Sequence, residues 1–123
     1  MENPEELPRP NGVLKCEHRR QGDALIFSCG GAFSLANHVK LDQILDLVKT
    51  TDAKRIVLDL REITYMDSVG VGTVAMIVKE TMNSRKRLLL LPSPPVQGML
   101  ASASLDRVIP LYDTLDKALD ARA

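Results

Sequence analysis

The sequence lacks the features that mark several large classes of protein. Its 123 residues carry 16 basic and 16 acidic side chains, so the formal net charge is zero, and no long run of one sign stands out. Binding to nucleic acid needs a basic face, and we therefore do not expect nucleic acid as the main partner. No apolar run approaches the ~20 residues that a membrane span needs, so we expect no membrane insertion.

The amino-terminal segment has neither a basic region nor an apolar region behind it, and it therefore does not predict a secretory signal. Residues 1–11 hold three prolines and three glutamates, a composition that predicts a disordered lead-in. The length of the remainder is that of one domain, which we place at residues 12–121. We expect a cytoplasmic protein.

Cysteine is scarce as well. Cys16 and Cys29 are the only two, and they lack the spacing of a C-x-x-C motif. Both fall in predicted strands, so we expect reduced, half-buried side chains rather than a disulfide framework. Pairing of the two is left open by the sequence.

Groups that could carry out catalysis are few. The two histidines, His18 and His38, lie on a predicted strand face and a predicted helix, where a structural or surface role is expected. A catalytic serine would therefore lack a base. Metal ligands do not cluster, and Gly70 and Gly72 are not followed by the third glycine of a dinucleotide site or the lysine of a P-loop. We predict no catalytic residue, no cofactor and no metal, and hence no enzyme.

Hydrophobic periodicity predicts alternating strands and helices. Two strands come first, joined by a short turn that predicts an antiparallel hairpin, and Gly30-Gly31 is expected to end the second. The order β-β-α-β-α-β-α-(β)-α predicts an α/β fold, with a mixed sheet of four to five strands and helices mainly on one face. The predicted strands are 13–20, 24–29, 56–60, 88–91 and a brief 108–109, and the predicted helices are 35–49, 68–83, 96–102 and 114–121.

The run MDSVGVG at residues 66–72 connects a predicted strand to a predicted helix. Ser68 is predicted to be the N-cap of that helix, with its hydroxyl exposed where free N–H groups and the helix dipole favour an anion. The plain interpretation is an ordinary cap. The functional interpretation is a place to attach a phosphate. A nucleophile elbow is disfavoured, because Met66 stands where that motif has glycine. The glycines predict either close packing or an approaching partner backbone.

Residues 56–72, IVLDLREITYMDSVGVG, resemble the signature of STAS domains, specifically of bacterial anti-sigma-factor antagonists. The segments 93–96, 104–109 and 115–119 also resemble parts of that family. The resemblance implies a STAS-like fold and a protein that binds a GHKL-type serine-kinase anti-sigma factor. It further implies that phosphorylation of Ser68 ends this complex and that a serine phosphatase restores it.

Six residues are predicted to contact the partner. Ser34 is included because it stands where the family has an acidic residue, which leaves the partner's identity open. Homodimerisation is also left open. The alternative within the family is a STAS subunit of a lipid-transport ABC complex or of a stress-sensing assembly, with no role in sigma-factor control. The predicted contact residues are Ser34, Asp67, Ser68, Val69, Gly70 and Gly72.

Overall fold

A computed structural model describes residues 12–121. It contains a four-stranded sheet in the order β1-β2-β3-β4 and four α-helices, with two short 3₁₀ turns at Leu35–Asn37 and Leu105–Arg107. The strands are β1 (Leu14–Gln21), β2 (Ala24–Phe33), β3 (Arg55–Met66) and β4 (Arg87–Pro92), and the helices are α1 (His38–Thr50), α2 (Ser68–Asn83), α3 (Pro94–Ser102) and α4 (Leu115–Asp120).

The sheet is mixed. β1 and β2 form the predicted antiparallel hairpin, whereas β2 pairs in parallel with β3, and β3 in parallel with β4. The apolar side chains of α1, α2 and α3 cover one face of the sheet, and the short α4 covers part of the other. The predicted fold class is therefore confirmed, while the predicted lead-in at residues 1–11 lies outside the described residues.

Two strands are longer than predicted. β2 continues through Gly30-Gly31 to Phe33, because Gly31 takes a φ of 101° and the register shifts on either side of it. A side chain at Gly31 would collide with the carbonyl of Val13. β3 continues to Met66, but β4 pairs only with its first half. The second half of β3 alternates between exposed polar and buried apolar residues. The continuous apolar pattern of a buried strand therefore ends before β3 does.

The predicted brief strand at residues 108–109 is wrong. Val108 follows a 3₁₀ turn, and the extended contact comes later, as a single parallel bridge between Leu90 and Leu111. Helices α3 and α4 begin at side-chain caps. The Ser93 hydroxyl accepts a hydrogen bond from the Val96 N–H at the start of α3, and the Thr114 hydroxyl accepts one from the Lys117 N–H at the start of α4.

The expectation of reduced cysteines is also wrong, because the structure joins Cys16 to Cys29 by a disulfide. The two residues are directly opposed in the hairpin, with Cα atoms 4.2 Å apart. The reason lies in the turn. Gly22-Asp23 pairs Gln21 with Ala24, and counting back from that pair places the cysteines opposite each other.

α2 ends in a common type of helix C-cap, but the residue at its left-handed position is an unusual one. The N–H of Arg85 donates to the Met82 carbonyl (3.3 Å) and the N–H of Lys86 to the Thr81 carbonyl (2.8 Å). This is a Schellman motif, whose left-handed residue is commonly glycine. Here that residue is Arg85, with a φ of 57°.

We expect Arg85→Gly to raise the free energy of unfolding by about 0.5–1 kcal/mol, because it removes the Cβ that makes the left-handed conformation costly. Urea unfolding followed by circular dichroism measures the change. The control is Arg107→Gly, which removes the same side chain from a residue with negative φ and should lower stability. A loss of stability in Arg85→Gly would contradict the assignment.

Candidate functional site

The site lies where two neighbouring parallel strands end together. Phe33 of β2 and Met66 of β3 are partners in the register, so the residues that follow them share one edge of the sheet. Ser34 and Leu35 come after β2, and Asp67 and Ser68 come after β3. Carboxyl ends of parallel strands are the usual places for ligands and partners in open α/β sheets.

Asp67 holds these two segments together. One carboxylate oxygen, Oδ1, accepts hydrogen bonds from the N–H groups of Val69 (3.1 Å) and Gly70 (3.0 Å). The other, Oδ2, accepts one from the N–H of Leu35 (3.0 Å). The first oxygen caps α2, and the second fixes the chain that leaves β2.

The predicted N-cap was therefore misplaced by one residue. Asp67 has the extended backbone of a cap (φ −114°, ψ −172°), and Ser68 is the first residue of α2. A carboxylate offers two oxygens and a charge that complements the helix dipole, so it can bind both segments at once, whereas one hydroxyl could serve only the helix.

Ser68 is exposed, as predicted. Its hydroxyl makes no hydrogen bond to any residue between 12 and 121, and its side chain is therefore available to another protein. Within the described part of the chain, neither His18 nor His38 is bonded to this hydroxyl. Phosphorylation of Ser68 stays a prediction.

The two glycines of the motif have different surroundings. A Cβ at Gly70 would collide with the carbonyl oxygen of Phe33 and crowd the side chain of Met66 (3.1 Å). Gly70 is thus required for α2 to pack against the end of β2. A Cβ at Gly72 would meet nothing within 4 Å. Within the described chain, Gly72 has no packing reason to be glycine, although glycine inside a helix costs about 1 kcal/mol relative to alanine.

The other predicted contact residues are less exposed. Val69 is half-buried, and Ser34 is completely buried. Leu35, and not Ser34, is the exposed residue that follows β2. Its backbone N–H is bound to Asp67, and its side chain is 60% exposed. One turn further on, Val39 is 58% exposed. These two residues were not among the predicted contacts. Their apolar character at the start of an otherwise amphipathic helix was the signal that could have identified them.

Asp59 does not belong to the site. It lies in the middle of β3 and forms an ion pair with Arg61 (2.8 Å). Burial alone would raise the pKa of Asp59, but the hydrogen bonds from Arg61 outweigh it and lower that pKa. In residues 12–121 no group of three or more acidic, histidine or cysteine side chains could hold a metal. No helix in that range is long and apolar enough to span a membrane.

Comparison with known proteins gives consistent results. A Thermotoga maritima protein named "Putative anti-sigma factor antagonist" is 30% identical over 67 residues, which is 54% of this chain and 59% of that relative. The match thus spans little more than half of the curated relative's length.

Two solved structures share the fold. An anti-sigma factor antagonist from Mycobacterium paratuberculosis superposes with a TM-score of 0.80 at 23% identity, over 92% of this chain and 96% of that one. The unphosphorylated form of the anti-sigma factor antagonist SpoIIAA gives 0.71 at 22% identity, over 88% and 94%.

The sequence model of the STAS domain matches residues 15–118 and so covers most of the chain. It includes every strand but the first residue of β1, and it contains the whole Asp67–Gly72 segment. Membership agrees with the prediction of a binding domain rather than an enzyme. This chain belongs to the STAS domain family.

Proposed function

We propose that this protein is an anti-sigma-factor antagonist that works as a partner switch. In its unmodified form it binds a GHKL-type serine-kinase anti-sigma factor in the cytoplasm, phosphorylation of Ser68 ends the complex, and a serine phosphatase restores it. The observation that carries the proposal is the Ser68 hydroxyl, which is exposed and unbonded among the described residues at the start of α2. The names of the relatives and similar structures support the same role.

The surroundings of Ser68 suit a protein partner. The apolar side chains of Leu35 and Val39 are exposed, and Leu35 is attached to Asp67 through its backbone. Gly72 leaves open space one helical turn beyond Ser68. A partner could bury apolar surface there and bring its own backbone close to α2.

The same geometry explains how a phosphate would act. It would add roughly −1.5 to −2 charges. The N–H groups of Val69 and Gly70, which could otherwise receive it, are already bound to Asp67. The phosphate would therefore lie beside a carboxylate and inside the contact surface. A thousandfold loss of affinity corresponds to about 4 kcal/mol, which repulsion and desolvation of such a group can provide.

We expect a GHKL-type kinase encoded beside this protein to transfer one phosphate from ATP to Ser68. Ser68→Ala should abolish the transfer while keeping the kinase complex, and it should change stability by less than about 0.5 kcal/mol, since Asp67 and not Ser68 caps the helix. Ser68→Asp should weaken the complex without unfolding the domain. Phosphopeptide mapping and titration of the complex measure these effects.

Ser84→Ala is the matched control, because it removes an exposed hydroxyl from the other end of α2. Two further hydroxyls test the choice of site: Thr64 is exposed on β3, and Thr73 is buried and bonded to the Val69 carbonyl. Phosphate on either threonine with Ser68 unmodified would refute the site. No phosphate with any such kinase would favour the STAS-subunit alternative.

Gly72 gives a second test. Gly72→Ala should raise the free energy of unfolding by up to about 1 kcal/mol, because a methyl group fits there and alanine favours the helix. It should also weaken the kinase complex about tenfold or more, because the methyl group would occupy space that the partner needs. Chemical denaturation and calorimetric titration measure the two effects separately.

Gly98→Ala in α3 is the control, since that position is equally open within its helix. It should bring the stability gain without the binding loss. Gly70→Ala should instead destabilise the domain, because its methyl group would meet the Phe33 carbonyl. Unchanged affinity in Gly72→Ala would show that the partner does not approach this turn of α2.

A further inference from the structure

The end of the sheet opposite to Ser68 concentrates positive charge in a protein whose net charge is zero. Two short basic segments lead into neighbouring parallel strands: Lys54-Arg55 ends on the first residue of β3, and residues 85–87 end on the first residue of β4. The parallel register brings them together: Arg55 is the partner of Arg87, and the Arg87 N–H donates to the Lys54 carbonyl (2.9 Å).

A cleft of about 530 Å³ opens between these segments and the end of α4. We call it the basic cleft. Four cationic side chains and two carboxylates line it, which leaves an excess of two positive charges; they are Lys54, Arg55, Arg85 and Arg87, with Asp23 and Asp120. Its volume is in the range of small-molecule sites.

The cationic side chains of the basic cleft differ in the hydrogen bonds and ion pairs that they form. Arg55 forms an ion pair with Asp23 (2.7 Å) and donates to the Leu119 carbonyl (2.6 Å). Arg87 makes one long hydrogen bond to the Ala121 carbonyl (3.4 Å). The exposed side chains of Lys54 and Arg85 have no hydrogen bond or ion pair with any residue in the described range. Two of the four cations are thus exposed to solvent, and the two arginines beside them in the cleft are held in place by hydrogen bonds.

The backbone of Arg85 gives a second, independent indication of a binding role. It occupies the left-handed position of the Schellman motif, where glycine would fit without strain. Apart from Ser104, it is the only described residue other than glycine with positive φ. Strained backbone positions cluster at binding sites, and here such a position is filled by a long cation whose side chain has no hydrogen bond or ion pair within residues 12–121.

We propose that the basic cleft binds a small anion of the phosphate class that carries at least two negative charges. Such a ligand would balance the excess charge of the cleft. The planar guanidinium of Arg85 can donate two parallel hydrogen bonds to phosphate oxygens, and the Lys54 ammonium adds a flexible point charge. The site lies roughly 35 Å from Ser68, at the other end of β3, and it is separate from the proposed partner surface.

The test is a titration of the full chain with pyrophosphate at low ionic strength, followed by amide chemical shifts. We expect saturable shifts at Lys54, Arg55 and residues 85–87, and weaker binding at high salt. Arg85→Gly and Lys54→Gln should each weaken binding about tenfold. Because Arg85→Gly is also expected to stabilise the fold, its loss of binding cannot be attributed to unfolding.

Arg107→Gly removes the same charge from outside the cleft and should leave the pyrophosphate affinity unchanged. Ser68→Asp should leave it unchanged as well, which separates this site from the partner switch. Absence of saturable shifts up to about 10 mM pyrophosphate, shifts confined to the start of α2, or equal weakening by Arg107→Gly would each overturn the proposal. So would sedimentation with phosphatidylglycerol vesicles in the absence of pyrophosphate binding, since the ligand would then be a lipid surface.

Discussion

The arrangement of the candidate site at the ends of β2 and β3 depends on one carboxylate. Asp67 accepts three backbone hydrogen bonds, two from the first turn of α2 and one from Leu35 in the segment that leaves β2. Without it, the first N–H groups of the helix would need water or another acceptor, and the β2 segment would lose its attachment to the helix. The position of Ser68 at the surface follows from this, because the residue that does the capping is its neighbour.

This division of roles matters for a switch. If Ser68 were itself the cap, any modification of its hydroxyl would remove a hydrogen bond from the helix and destabilise the fold. Because Asp67 caps the helix, the proposed phosphorylation of Ser68 would leave that cap in place. The glycines divide their roles in the same way: Gly70 allows α2 to approach Phe33, and Gly72 leaves space on the outer side. Residues that the fold requires and residues of the proposed partner surface thus alternate along the first turns of α2.

Much of this could be predicted from the sequence, and the failures have physical reasons. The strand–turn–helix around Ser68 is visible because a short apolar strand, polar turn residues and an apolar helix follow one another closely. The cap was misassigned because serine and aspartate are both good caps, and only the bond to Leu35, which is distant in sequence, decides between them. The second half of β3 was missed because it has a single neighbouring strand and a solvent-exposed face. The pairing of Cys16 with Cys29 required the hairpin register, which the two-residue turn fixes but which local propensity does not reveal.

The two ends of the sheet have opposite chemistry, and the parallel strands are the cause. At the carboxyl ends of β2 and β3, the chain turns into helices and presents N–H groups, which Asp67 satisfies. At the amino ends of β3 and β4, the chain arrives from helices and presents basic residues. β3 connects the ends, and its central residues Val57, Leu58 and Leu60 are fully buried. The first half of β3 is packed on both faces and has little freedom to shift, and coupling between distant sites requires an element with two arrangements. Binding at the proposed partner surface and binding in the basic cleft should therefore not affect each other.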